Sequence, residues 1–521
     1  LTLDLDGGTI LRHGARLLII GRKPLPPPME HTDGGGVVPE DDESESWGTS
    51  RILEIDVSKA RSPKLLRTLD VPGQVLASRQ VGSTARVVVR TPTTYYGGSY
   101  KQRRWRLRHT TLRQIVPDTI LTSAVSGDRY RRPLAECTSV ARPVEFSGHQ
   151  LLAILTVDLD RGLVGLDRDA VMGTPQVTYA STSALYVATA RAVDATLTDQ
   201  TYTRIHAFDT SSAGRTSYEA SGRVQGLPVN QYAFSEDKGI LRVATTDDPR
   251  WSSGTLARRA DNRITTLRRI GSGLTQVGLV AGFGRGEQIK SVRYVGDRAY
   301  VVTFRETDPL FTFELGDPSA PRLLGEVKIP GYSGYLHVLG GGLVLGIGQN
   351  GTESGADRGA QVSLFDASDP TKPVRLAHRN LGGRGSYTDQ DPHAFLWWPK
   401  RRMALVSYSD WGRRNGFVGS MVALQPSATG VSRLRELGRI RHGAKGERVA
   451  VLRAIVVGDR LLSVSSQGVL SSRLSDLQPT GYHRFDSRGF SPLQPTRPIP
   501  TPTPTGTTPT RPVGSIPGTT P

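Results

Sequence analysis

Residues 289–331 read IKSVRYVGDRAYVVTFRETDPLFTFELGDPSAPRLLGEVKIPG. Four short hydrophobic runs are separated by turn signals. Ile289 to Val295 forms an amphipathic strand, and Gly296-Asp297 suits a tight hairpin. Arg298 to Phe304 is the hydrophobic strand that follows. Pro309 to Leu315 supplies a third strand and ends in the acidic turn Gly316-Asp317-Pro318, where proline fixes φ and aspartate caps the local backbone. Arg322 to Ile329 is a fourth strand, closed by Pro330-Gly331.

Working outward, the hydrophobic strand of this unit recurs along the chain. Copies begin near Arg16 (RLLIIGR), Arg86 (RVVVRT), Leu185 (LYVATA), Leu241 (LRVATT), Arg298 (RAYVVTF), Leu343 (LVLGIG), Arg402 (RMALVSY) and Arg460 (RLLSVSS). Apart from the two widest gaps the spacing is 45 to 59 residues, against about 40 to 50 for a four-stranded propeller blade. Asp366-Ala367-Ser368-Asp369-Pro370 repeats the acidic turn one unit later. Short strands, regular turns and almost no helical periodicity make the chain all-β. Four-strand units point to a β-propeller of antiparallel blades, because a pair of sandwiches would not keep one unit from residue 50 to residue 470. Eight blades are favoured and seven is the alternative, with Val469 to Phe485 and Thr2 to Leu5 as closing strands.

Residues 1–490 are expected to form a single propeller with two insertions. Residues 23–46 are rich in Pro and Gly, then acidic, and read as a disordered loop. Residues 92–147 read as a partly helical excursion, with Trp105, Leu107, Leu112, Ile115 and Val116 on one apolar face and Cys137 as a small buried thiol near its return. Residues 491–521 are a disordered Pro/Thr-rich tail, extended and PPII-like, of the kind found in glycosylated stalks or wall-spanning spacers. The chain opens on Leu1, and a signal peptide or lipid anchor is expected upstream of it.

Composition narrows the function classes. The formal charge is +18, and only ten of the 66 basic residues are Lys. Such a field favours anionic partners at low salt. The basic residues are scattered, however, with Lys101 to Arg108 the densest cluster, and no nucleic-acid-binding motif accompanies them. No specific nucleic-acid partner is expected. A single cysteine excludes a disulfide framework within the chain and any Cys-based structural zinc site. No apolar run approaches the ~20 residues a membrane-spanning helix needs.

Several ordered blocks resemble a known group, secreted bacterial proteins with a C-terminal β-propeller domain distantly related to WD40 repeats. They are Arg51 to Ser58, Val292 to Phe304, Ile329 to His337, Asp391 to Leu396, and Glu145 to Gly148 leading into Leu151 to Leu159. The resemblance covers roughly residues 1 to 485. It implies an exported, lipid-anchored or wall-associated protein whose membrane contact is a missing N-terminal anchor, and it implies no reaction. Pro392 stands where relatives carry a polar residue, which argues against a metal role there.

Candidate site residues are few. Asp389, Asp391 and His393 alternate as if on one strand, and His337 holds a comparable place one unit earlier; together they are candidate ligands for a divalent cation at a channel mouth. Polar residues on inner strands equally satisfy backbone groups of the next blade. Asp4 and Asp6, and Asp247-Asp248, resemble acidic turns that could take Ca²⁺, with turn capping as the plainer reading. Trp397, Trp398 and Trp411 are candidates for carbohydrate stacking or for packing between blades. No hydrolase elbow, zincin helix or Walker loop is present, so no catalytic residue or cofactor is assigned. The expected function is a monomeric, non-enzymatic, extracellular or cell-surface platform that binds an envelope polymer, a protein or another ligand. The alternative is an extracellular propeller hydrolase or lyase with a site, with or without a metal, at the channel mouth.

Overall fold

The computed structural model describes residues 3–24, 48–91, 99–143, 145, 147–148, 150–191, 201–248, 259–304, 307–351, 357–383, 385–389, 391–412, 416–430, 433–442 and 449–485. The Pro/Thr-rich tail and nearly all of the 23–46 insertion lie outside them. Among the described residues a four-strand antiparallel meander forms eight times. The meanders span Asp6–Pro72, Gln74–Met172, Pro175–Gln225, Phe234–Phe283, Gln288–Pro330, Tyr332–Gly382, Phe395–Ile440 and Val451–Arg484. The fifth shows the register: Val295 pairs with Arg298, Arg298 with Glu314, and Glu314 with Arg322.

The recurring hydrophobic segment is the second strand in all eight cases. Its near-continuous apolar sequence follows from burial on both faces, as in Ile240–Asp247, where every residue is buried. Burial declines outward, and fourth strands such as Arg322–Pro330 and Val374–Gly382 are largely exposed or half-buried. The third strand of several meanders ends on an aspartate that accepts from the backbone N–H two residues on. Asp56 takes Ser58 at 2.8 Å, Asp209 takes Ser211 at 2.9 Å and Asp366 takes Ser368 at 2.9 Å.

The chain divides into two compact units, Leu1–Pro392 with Pro426–Arg435, and His393–Gln425 with Glu436–Pro521. In the first, hydrophobic cores lie between successive sheets. Leu18, Ile52, Val87 and Leu155 fill the core shared by the first two meanders, and Phe283, Phe311 and Phe313 anchor the core of the fourth and fifth. The second unit has a core of Met403, Leu405, Met421, Ile440, Val451 and Leu461.

Two local expectations change, and one holds in part. The first strand begins at Asp6, not Thr2, and Gly7 and Gly8 sit inside it at a register shift between Asp6 and Thr9. Positive φ at both glycines (63° and 146°) creates this bulge, so a pair that reads as a turn interrupts a strand instead. Cys137 is exposed, not buried, because it opens a 3-10 turn at the surface. Gly468–Arg473 and Pro479–Arg484 are the third and fourth strands of the last meander.

The excursion after Thr91 contains helices α1 (Tyr100–His109) and α2 (Leu112–Ile115). Trp105 does not join an apolar face; it is 62% exposed and stacks on His109 at 4.5 Å. Leu112 packs on the core of the first two meanders and Val116 is buried, while the side chain of Leu107 lies outside the described residues. The chain then forms a hairpin of Asp118–Ser123 and Arg129–Pro133 that extends the first meander to six strands, with Arg67 opposite Ser123 and Asp70 opposite Ile120. Val140–Ala141 adds in parallel to the outer strand of the second meander.

Candidate binding surface

The residues expected to hold a metal do not share a strand. Tyr387–Asp389 and Pro392–Ala394 are 3-10 turns, and the strand starts only at Phe395. Pro392 fixes φ at the head of the second turn, which breaks the alternation that the sequence implies. His393 is exposed, Asp391 is half-buried, and the side chain of Asp389 lies outside the described residues. Asp391 belongs to the first unit and His393 to the second. His337 sits on the first strand of the sixth meander, 3.5 Å from the Tyr335 hydroxyl. Burial, reinforced by the Arg293 charge, pushes its pKa down to about 4. Arg293 lies over the rings of Tyr232 and Tyr335, so the charge beside His337 is a cation, an unfavourable companion for a metal ion. Among the described residues no group of three or more His, Cys, Asp or Glu side chains is placed to hold a metal.

Three of the four acidic residues read as turn or cation candidates accept hydrogen bonds from the protein. Asp247 is fully buried and accepts from the Thr201 N–H at 3.0 Å, the Thr201 hydroxyl at 2.9 Å and Gln225 at 2.6 Å. Asp248 accepts from Gln288 at 2.8 Å, and Asp4 takes Arg51. Trp398 is half-buried against the core of the second unit. Trp397 is half-buried beside it on the same short strand, and the side chain of Trp411 lies outside the described residues.

Sequence reasoning missed the charged groups between meanders. Glu54 of the first meander is fully buried and accepts from Arg67 at 3.1 and 3.2 Å and from the Leu163 N–H of the second meander at 3.1 Å; Arg16 lies 3.3 Å away. Arg86 of the second meander donates to the carbonyls of Thr210, Ser212 and Arg215 and to the Thr216 hydroxyl of the third, at 2.9 to 3.0 Å. Burial lowers its pKa. Only the interruption of hydrophobic strands by Glu54 and Arg86 hints at these groups.

The hairpin from the excursion is the most distinctive surface. Its outer strand, Arg129-Tyr130-Arg131-Arg132-Pro133, ends the six-stranded sheet and is exposed from Arg129 to Arg132. Arg113 and Arg131 flank Asp118 at 3.4 and 3.9 Å, and Lys101 and Arg108 on α1 are also exposed. A charged, proline-ended edge resists pairing with another strand and offers guanidinium groups to anions.

The repeating meander is matched by a family model described as a beta propeller domain over residues 3–477. The chain belongs to this beta propeller domain family. It is 40% identical over 186 residues to the uncharacterized protein MJ1554 of Methanocaldococcus jannaschii, covering 36% of this chain and 28% of that one. It is 38% identical over 178 residues to an uncharacterized protein of Archaeoglobus fulgidus, covering 34% and 26%. The chain thus spans about a quarter of the length of the curated relatives it matches. Among solved structures it is similar to the Chaetomium thermophilum Sqt1 bound to the N-terminus of ribosomal protein L10. That match has a TM-score of 0.40 and 10% identity and covers 65% of this chain and 82% of that one.

Proposed function

We propose that this propeller is a non-enzymatic, exported binding platform of eight blades whose basic hairpin edge meets an anionic envelope polymer. The observation that carries the reading is the outer strand Arg129–Pro133, which the insertion adds to a finished four-strand blade and leaves exposed and cationic. A blade needs no fifth and sixth strand, and although Leu121 of the inner added strand packs on the core of the first two meanders, the outer strand is left to the surface. The net charge of +18 supports an anionic partner. Export rests on the resemblance of the blocks around Val292 to Phe304 and Ile329 to His337 to secreted propeller proteins.

The test is co-sedimentation of the full chain with purified envelope across a salt series. Retention should be strong at 0.1 M salt, where the Debye length is about 10 Å, and weaken toward about 3 Å at 1 M. Arg113→Ala/Arg129→Ala/Arg131→Ala should reduce retention while leaving the melting temperature unchanged. No retention at any salt overturns the reading and turns attention to the alternative, a channel-mouth hydrolase or lyase, through substrate screening.

A further inference from the structure

Behind the same hairpin lies a cavity of about 330 Å³. Strand alternation builds one wall: Thr119, Leu121 and Ser123 share a face of Asp118–Ser123, and Tyr130 and Arg132 share the matching face of Arg129–Pro133. The opposite wall comes from the second meander, with Leu163 and Val164 on the 3-10 turn Gly162–Gly165 and Arg168 on the fourth strand. Arg129 and Arg131 point away from this space.

Three guanidinium groups line the cavity and no carboxylate does. Arg67 is already engaged by Glu54. Arg168 feels the charges of Glu136 and Asp167 outside the lining, but its Nε is buried and has no hydrogen-bond partner. A buried donor without an acceptor carries a desolvation cost that a bound anion removes. Burial, and next the charge of Arg132, lower the pKa of Arg168, so these two cations face a common space and disfavour each other. The hydroxyls of Ser123 and Tyr130 also line the cavity and can donate to an oxyanion, while that of Ser126 is donated to Asp128 at 2.7 Å. Leu121, Leu163 and Val164 supply apolar wall, and Val164 is 63% exposed, an apolar side chain left uncovered at the mouth.

We propose that this pocket binds a small organic anion, an oxyanion head of carboxylate or phosphate on an apolar body. Arg132 and Arg168 hold the head, as guanidinium groups do for planar or tetrahedral oxyanions. Leu121, Leu163 and Val164 cover the body. The pocket is separate from the outward face assigned to the envelope, so either assignment can fail without the other.

The test is calorimetric titration of the full chain, without envelope, using benzoate, phenyl phosphate and inorganic phosphate at 0.15 M salt. One organic probe should saturate at one site per chain and bind more tightly than inorganic phosphate, and the tighter of the two identifies the head. Arg132→Met and Arg168→Met should each weaken it by about tenfold or more, the loss expected for one charge-assisted hydrogen bond. Arg129→Ala, on the far face of the strand, should leave it unchanged. If Arg168→Met fails to fold, the exposed Arg132→Met carries the test alone. Absence of saturable binding by both organic probes up to about 10 mM overturns the proposal. So does undiminished binding in Arg132→Met, equal loss in Arg129→Ala, or inorganic phosphate binding as tightly as the organic probes.

Discussion

The junctions among the first three meanders and those among the fourth to sixth solve the same packing problem with different chemistry. Between the first and second, and the second and third, buried charges sit among neutral bonds such as Thr156 with Thr216: Glu54 with Arg16, Arg67 and the Leu163 N–H, then Arg86 on three carbonyls. Between the fourth and fifth a charge also takes part, since Arg242 donates to the Gly296 carbonyl at 2.7 Å, but there and between the fifth and sixth the third strand is clasped by neutral bonds. Thr266 donates to the Pro318 carbonyl at 2.6 Å, and Thr312 donates to the Pro370 carbonyl. Each accepting proline belongs to an acidic turn of the next meander. The Asp-Pro signature is therefore a clasp as well as a turn: Asp317 and Asp369 hold the turn by accepting from Ser319 and Thr371, and the exposed carbonyl docks under the preceding third strand. A neutral clasp loses little if one partner goes. An ionic one leaves a charge behind, and the two halves should differ accordingly.

The largest effect is expected at Glu54. Glu54→Ala strands Arg16 and Arg67 and leaves the Leu163 N–H without its acceptor, at about 3 kcal/mol. A shift of the urea midpoint smaller than that of any clasp threonine variant would break the comparison. Next comes backbone approach. A Cβ at Gly325 would lie 2.6 Å from the Thr371 carbonyl oxygen and 2.7 Å from that of Pro370, so Gly325→Ala pushes the sixth meander's turn out of its seat. Overpacking of this kind costs about 2 kcal/mol, and the same denaturation experiment reads it. Thr312→Val removes one donor and keeps the shape, at about 1 kcal/mol. The order Glu54, Gly325, Thr312 is the content of the comparison.

How much of this the sequence shows depends on whether a feature repeats. The second strands are legible because burial on both faces writes an apolar run, and it recurs eight times with its register intact. The Asp-Pro turns are legible for the same reason. The hairpin Asp118–Ser123 and Arg129–Pro133 is not, because Arg-Tyr-Arg-Arg-Pro is an edge strand with no core to face and carries no hydrophobic alternation. Asp389, Asp391 and His393 mislead for a related reason: period two in a short polar segment is compatible with a strand, and a single proline decides for 3-10 turns. The pocket at Arg168 draws its walls from segments about 30 to 100 residues apart, Arg67, the hairpin, and the 3-10 turn and outer strand of the second meander, and no local pattern joins them.

The smallest effect separates the two halves by pH. Asp169, on the outer strand of the second meander, has its pKa raised to about 7 by burial and then by the charge of Asp167, which itself accepts from the Thr216 N–H of the third meander. The folded chain therefore keeps a proton that the unfolded chain releases near pH 4. Stability contributed by the protonated group is present below pH 4, declines as pH rises to about 7, and stays lost above it. Asp169→Asn cannot titrate. Its melting temperature relative to wild type should rise between pH 4 and pH 8 by about 1 °C, the shift for roughly 1 kcal/mol in a chain of this length after allowing for partial exposure. The clasp carboxylates Asp317 and Asp369 have the opposite sign. Hydrogen bonds from Ser319 and Thr371 lower their pKa, so their contribution is present above pH 4 and lost in acid below it. Asp317→Ala should accordingly weaken the chain at pH 7 and converge on wild type in acid, while Asp169→Asn diverges from it toward alkaline pH. Parallel pH profiles for the two variants would overturn the opposite signs assigned to Asp169 and Asp317.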